Sequence, residues 1–148
     1  MLHYVAIPRV LFDGTLETQY VLLPSRPKLF RILSFCASLQ TSADAGTRYP
    51  SIVVQVDGKN VWNIMNTSVG VVPSDSGLLT MAPGLSPSYS QFFASTIPLP
   101  PMGLPVEPNA KASFRLIGGR NGDQLLNGML VIEEDAPAED LIPTERLA

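Results

Sequence analysis

Few side chains in this sequence could carry out catalysis or hold a metal, and they are scattered along the chain. His3 is the single histidine and Cys36 the single cysteine. His3 lies at the third residue, where chains usually fray, so Ser-His-Asp, Cys-His and His-metal sites all lack their central member. Cys36 lies in an apolar run, which indicates a buried, unreactive thiol, and a lone cysteine excludes an intramolecular disulfide. Neither residue predicts a catalytic nucleophile or a metal centre.

The acidic and glycine-rich segments predict no active site either. Glu133-Glu134 and Glu139-Asp140 are neighbours that a strand would point to opposite faces, so they do not form the facing carboxylates of a glycosidase. Residues 118–123 predict a turn rather than a phosphate site, because no helix and no Gly-Lys-Ser/Thr follow the glycines. We therefore expect a binding and assembly protein without a cofactor or metal, not an enzyme.

The composition favours many short strands and a surface that partners cover. The 148 residues fit one domain, and only 16% of them are charged, against about 25% in an average soluble protein. The 14 prolines and 11 glycines supply many turns. No run approaches the roughly 20 apolar residues of a membrane span, and no signal peptide is recognisable. We expect a protein that is made in a reducing cytoplasm and does not bind a membrane.

Charge is distributed unevenly along the chain. Residues 133–148 carry six acids and one Arg, a net −5, whereas residues 1–132 carry seven acids and nine bases, a net +2. A nucleic-acid-binding protein needs a basic stripe, which this pattern lacks, so no nucleic-acid partner is expected. The last residues contain two prolines and show no strand period, which predicts a flexible acidic tail.

Hydrophobic side chains recur with a period of two, which predicts strands. Residues 51–56 alternate cleanly and run through Asp57-Gly58 into a second β-rich run at 59–64, and Asp-Gly at this point predicts a type I′ hairpin. Residues 29–39 predict a longer strand. Its buried face is expected to comprise Leu29, Leu33, Phe35, Ala37 and Leu39, interrupted by Arg31.

A second hairpin is expected to close the domain. Residues 111–117 alternate, residues 124–132 are rich in Leu, Met, Val and Ile, and the glycine-rich turn lies between them. Shorter strands are expected at residues 20–23 and 89–93, and another, interrupted by Pro8, near the N-terminus.

This succession of strands and turns predicts an all-β fold, an antiparallel jelly roll or β-sandwich with extended N-terminal and proline-rich arms. The expected organisation is an N-terminal arm or edge strand at residues 1–14, the sandwich at residues 15–134 and the acidic tail at residues 135–148.

Two stretches differ from the rest: residues 67–88 are rich in Ser, Gly and Pro, and residues 96–109 contain five prolines. Proline lacks a donor N–H, so the second stretch is not expected to be a central strand. It is either a crossover that covers the open end of the sandwich or a preformed arm that lies on a neighbouring protein. For the arm, the expected contacts are the apolar Ile97, Leu99, Met102, Leu104 and Val106, with Arg9, Arg48 and Arg120 fixing the register at the rim.

Taken together, the layout from about residue 27 to 134 resembles the jelly-roll decoration, or cement, proteins of tailed-bacteriophage virions. The resembling features are Arg31 to Ser34 opening a long strand, Ala45 to Tyr49 leading into Ile52 to Gly58, the proline run ending in Leu104-Pro105, and Phe114-Arg115 to Gly122-Asp123 to Val131 to Glu134. The resemblance implies an oligomeric component of the capsid surface, a homodimer or homotrimer without a cofactor. It also implies binding between major capsid subunits, which stabilises the head.

A receptor- or carbohydrate-binding module of a phage tail or spike is the alternative. It needs an aromatic groove, for which Trp62 and Tyr49 are the candidates, although a single strand tryptophan more often packs in a core or an interface.

Overall fold

The computed structural model of the protein describes residues 1–14, 17–65, 70–85 and 94–134, and all the elements in these ranges are strands. No helix there is long and apolar enough to cross a membrane. The predicted strand at residues 89–93 and the predicted tail at residues 135–148 lie outside the described residues. The strands are β1 (Leu2–Ile7), β2 (Val10–Asp13), β3 (Glu17–Leu23), β4 (Phe30–Gln40), β5 (Tyr49–Val56), β6 (Lys59–Met65), β7 (Ser76–Pro83), β8 (Ala94–Leu99), β9 (Leu104–Val106), β10 (Lys111–Ile117) and β11 (Asn121–Glu134).

The strands form two sheets with the connectivity of a jelly roll. The first sheet has the order β1-β11-β4-β7-β8, with β2 also paired to β11 and β9 to β4, and the second has the order β3-β10-β5-β6. The antiparallel pairs β1·β11, β3·β10, β4·β7 and β5·β6 describe one long folded hairpin. The pairs β11·β4 and β10·β5 then roll that hairpin into two sheets. The predicted all-β sandwich is confirmed.

The predicted hairpin at Asp57-Gly58 is confirmed as the β5–β6 turn. Val56 pairs with Lys59, and the two central residues have φ angles of 51° and 76°, as a type I′ turn requires. Because an alternating β-rich run lies directly on each side of the turn, the turn pairs the two runs through the shortest possible connection.

The predicted second hairpin is wrong, because β10 and β11 belong to different sheets. The glycine-rich turn carries the chain from one sheet to the other. At Gly118 the φ angle is +77°, and a Cβ atom there would lie 2.5 Å from the carbonyl oxygen of Thr47, so a larger residue would be strained on both counts. A period of two reports which strand residues are buried, not which strand is the partner.

The predicted inner face of β4 is correct in one half and shifted in the other. Ser34 pairs with Val131 and Ile32 with Ile132, so Leu33 is the extra residue of a β-bulge. The bulge reverses the alternation and directs Ile32 inward in place of Leu33. The buried residues of β4 are Phe30, Ile32, Phe35, Ala37 and Leu39.

Three phenylalanines join the two sheets in the core. The ring of Phe114, on the second sheet, lies 5.7 Å from that of Phe35 and 6.1 Å from that of Phe12, both on the first sheet, measured between centroids. All three side chains are buried. Aromatic pairs at this spacing add roughly 0.5–1.5 kcal/mol beyond the area they bury.

The proline-rich segment is part of the sandwich, not a free arm. β8 pairs in parallel with β7 at the edge of the first sheet, where Pro98 does not interrupt a central ladder, and β9 pairs with β4. Ile97, Leu99, Leu104 and Val106 are buried in the core. The arm interpretation is therefore wrong, and the segment contributes an edge strand and a short second strand to the first sheet. The other stretch set apart by its composition contains β7, which its Ser, Gly and Pro content concealed.

Substitutions at Ile97 and Met102 test this packing. Ile97 is 1% exposed and Met102 is 80% exposed. Ile97→Ala should lower the free energy of unfolding by about 2–5 kcal/mol through the cavity it leaves. Met102→Ala, on the same segment, should change it by less than about 0.5 kcal/mol. Urea denaturation of the isolated protein measures both. Equal, small effects would mean that Ile97 lies on the surface after all.

Candidate functional site

The predicted contact residues divide into a buried and an exposed group. Ile97, Leu99, Leu104, Val106 and Arg48 have no surface to offer a partner, so their assignment as contact residues is corrected here. Met102, Arg9 and Arg120 remain at least partly accessible, and their contact with a partner stays a prediction. The buried apolar residues fill the core because their strands β8 and β9 lie within the first sheet.

Arg48 forms a fully buried ion pair with Asp123. Its Nε donates to Oδ2 of Asp123 at 3.0 Å and its Nη2 to Oδ1 at 3.2 Å, a two-point contact between a guanidinium and a carboxylate. Nη1 donates to the carbonyl of Gly46 at 2.6 Å, and Nη2 also reaches Ser42. The backbone N–H groups of Ser42 and Arg120 donate to Asp123 at 2.7 and 2.8 Å. These bonds hold together the loops at one end of the sandwich.

The charge state of Asp123 follows from this arrangement. Burial acts to raise its pKa, but the hydrogen bonds from Arg48 and from the backbone N–H groups of Ser42 and Arg120, with the Arg48 charge, outweigh burial. The pKa of Asp123 is therefore held below its ordinary value, and the pair stays ionised. Its hydrogen bonds are all made within the chain, which indicates a structural rather than a catalytic role.

Arg120 belongs to the same end of the sandwich, and Arg9 also lies toward this end, beside Gln124. The guanidinium of Arg120 donates to the carbonyls of Ala45 at 3.2 Å and Gly118 at 2.9 Å, which ties two loops together. Arg9 is exposed and donates from Nε to Gln124 at 2.8 Å. The two side chains do not form one site with Met102.

An uncharged surface covers the outer side of the first sheet, and we call it the outer face. One continuous row crosses five strands in register: Ala6, Met129, Cys36, Thr80 and Thr96. Parallel rows contribute further uncharged side chains: Tyr4, Leu11, Leu126, Val131, Ser34, Ser38, Leu78, Ala82 and Pro98. Cys36 lies near the centre and is partly accessible, so the thiol is not fully buried as the sequence suggested.

Charged side chains lie at the margins of the outer face. Arg31 and Glu133 approach each other to 3.8 Å at one end. At the other end Arg9 bonds to Gln124, which in turn donates to Gln40 at 2.8 Å. An uncharged centre with polar groups at its rim is the usual anatomy of a protein interface.

Several large apolar side chains of the outer face are exposed. Tyr4 is 69%, Leu11 61% and Leu78 52% accessible, and Leu2 and Met129 are also exposed at this face. Five strands about 4.8 Å apart and about five residues of about 3.3 Å along each strand give it an area of roughly 400 Å². A standard interface buries about 800 Å² on each partner, so the outer face supplies about half of one.

Sequence reasoning missed the outer face, although its signal was present. The outward positions of the strands lack charge, where a solvated sheet normally alternates apolar with polar or charged residues. Assembling the positions into one surface required the strand order, because β1, β11, β4, β7 and β8 are distant in the sequence.

The aromatic pair considered for sugar binding does not form a platform. Trp62 pairs with Val54, whereas Tyr49 lies five positions earlier on β5 and pairs with Ile117. At about 3.3 Å per residue the two side chains are separated by roughly 16 Å along the sheet.

A chain from the crystal structure of the T13 IBDV viral particle is similar to this protein, with a TM-score of 0.42 and 11% sequence identity. The similarity covers 89% of this chain and 30% of that chain. No family model matches the sequence, and no curated protein matches it. The jelly-roll assignment rests on the strand pairing described above.

Removing either partner of the buried ion pair should lower the free energy of unfolding. The two losses should depend differently on pH. At pH 7, Arg48→Met and Asp123→Asn should each lower the free energy of unfolding by about 3–5 kcal/mol, because each leaves one buried charge unpaired. A guanidinium cannot lose its proton, whereas a buried carboxyl can take one up. The deficit of Arg48→Met should therefore shrink as the pH falls, while that of Asp123→Asn stays constant.

The wild-type protein supplies the reference for this comparison. Because the folded-state pKa of Asp123 lies below its ordinary value of 3.8, its stabilisation is fully present above that pH and is lost as the pH falls further, through the folded-state pKa. In the folded wild-type protein the ion pair therefore stays fully formed from pH 7 down to about pH 4.5, the range over which urea denaturation is measured. Lys59→Met, an exposed change, is the control. If the losses in unfolding free energy of the two variants, each relative to wild type, changed with pH in the same way, the assigned protonation behaviour would be contradicted.

Proposed function

We propose that the protein is a non-catalytic structural component of a virus particle, a decoration or cement protein of a tailed-bacteriophage head. In this proposal the outer face packs against the major capsid protein, between its subunits. The observation that carries the proposal is the uncharged row from Ala6 to Thr96 with exposed Tyr4, Leu11 and Leu78 around it. Viral capsid domains are among the proteins that use the jelly roll, although a fold alone does not define a function.

The size of the outer face favours binding in many copies. If all of its roughly 400 Å² were apolar, burial would contribute about 10 kcal/mol at about 25 cal/mol per Å². Association costs of about 4–15 kcal/mol offset most of that gain. A homodimer or homotrimer would present two or three such faces at once, and the second contact then forms at high effective concentration. Repeated sites on a shell suit this mode of binding.

Stabilisation of the shell would follow from mass action. A protein that binds assembled shells but not free capsid subunits shifts the equilibrium toward the shell. It needs no active site and no conformational change to do so. Particles that lack it should form with normal geometry but break at a lower temperature, and added protein should restore them.

Co-sedimentation with shells of the major capsid protein from the same virus tests the role of the outer face. Wild-type protein should pellet with the shells, and Leu78→Glu should bind at least tenfold more weakly, because a desolvated carboxylate would face an apolar contact. Val61→Glu is the matched control, since Val61 and Leu78 are both 52% exposed but Val61 lies on β6 of the second sheet.

The single cysteine offers a second readout from the same sample. Cys36 lies near the centre of the outer face, so reaction with a maleimide should be slower on the shell than in free protein. If wild-type protein fails to pellet, or if Leu78→Glu pellets as well as wild type, the outer face is not the docking surface. If particles without the protein are as robust as complete ones but fail to adsorb to cells, the receptor-binding alternative replaces the cement role.

A further inference from the structure

A cavity of about 310 Å³ opens between the two sheets, at the end of the sandwich opposite the buried ion pair. The apolar part of its wall comprises Val5, Leu22, Leu23, Phe30 and Ile132, with Pro24 at one side. Ligand sites are typically concave and mostly apolar, with a few polar groups that fix orientation, and this volume lies at the small end of their range. It suits one large side chain better than a whole cofactor.

The lip of the cavity carries three polar groups, of which two bond to each other. Glu134 accepts from Lys28 at 2.6 Å and is within 3.0 Å of Nε2 of His3. Arg26 is exposed at the lip, and its guanidinium forms no hydrogen bond or ion pair within the described part of the chain. The charge that the lip offers to a ligand is therefore the positive charge of Arg26, which favours a ligand carboxylate.

The cavity lies between the free edges of the two sheets. Among the described strands β1 pairs only with β11, and β3 pairs only with β10, so each has one side without a strand partner. His3 and Val5 of β1 and Leu22 and Leu23 of β3 line the cavity. A segment that adds to the free side of β1 would direct every second side chain inward, toward this space.

We propose that this cavity binds an extended peptide segment of a partner protein, with a large apolar side chain inserted and a nearby carboxylate on Arg26. The backbone of the segment pairs with β1 as a further strand of the first sheet. The walls supply the apolar contact, the free edge supplies the hydrogen bonds, and Arg26 selects an acidic neighbour. This site is separate from the outer face and goes beyond the structural role proposed above.

Fluorescence anisotropy with a synthetic peptide tests the site. The probe is a labelled peptide of threonines with one central leucine and a glutamate two positions later. Wild-type protein should bind it saturably, with a dissociation constant below about 1 mM. Arg26→Gln should weaken binding about tenfold through the lost charged hydrogen bond. Lys59→Gln removes the same charge at the start of β6, which β10 and β5 separate from β3, and should leave binding unchanged.

Two further measurements distinguish a peptide from other ligands of the cavity. The same peptide with N-methyl groups along one backbone edge should lose binding if it pairs with β1. Val5→Trp should fill the cavity and also abolish binding, with its fold checked by circular dichroism. Leu78→Glu should bind the peptide normally, which distinguishes this site from the outer face.

Absence of saturable peptide binding to the wild-type protein would overturn the proposal. So would equal affinity for 4-methylpentanoate, because the site would then recognise a small organic acid without a peptide backbone. Unchanged binding by both Arg26→Gln and Val5→Trp would place the peptide elsewhere.

Discussion

The pairing of β11 on both of its sides is the constraint on which the rest of the structure depends. Its 14 residues pair with β1 and β2 along one edge and with β4 along the other. The last strand of the roll thereby joins β1 and β2 to β4, and the two sheets close around the phenylalanine core. Asp123 near the start of β11 meets the buried Arg48, Met129 in its middle lies on the outer face, and Glu134 at its end lines the cavity.

The two ends of the sandwich differ in how they are closed. At one end, loops from distant parts of the chain converge, and a buried guanidinium and carboxylate satisfy backbone groups that would otherwise lack partners. Such a pair adds little net stability over apolar packing, but it tolerates no missing partner, so it fixes the loops in one arrangement. At the other end the edges of the sheets stay apart, and the space between them remains open.

Both proposed contacts use surfaces that the strand order creates, and they suit different partners. The outer face is flat, uncharged and roughly half the size of a standard interface, which fits a repeated contact with a large assembly. The cavity is concave, with apolar walls and one free cation among the described residues at its lip, which fits a single anchor residue on a strand. The two contacts use opposite sides of the first sheet, since Tyr4 of β1 lies on the outer face and the neighbouring Val5 lines the cavity.

The sequence by itself determined the β class of the protein, the Asp57-Gly58 hairpin and the scarcity of catalytic side chains, because these depend on local periodicity, turn chemistry and residue inventory. Only the tertiary structure decided which strands are partners. It placed β10 and β11 in different sheets, reversed the alternation of β4 at Leu33, and buried Ile97 and Arg48, both predicted at the surface. The reason is physical: alternation records that a side chain is buried but not what buries it. The outer face and the cavity arise from strands far apart in sequence, so neither exists until long-range pairing brings them together.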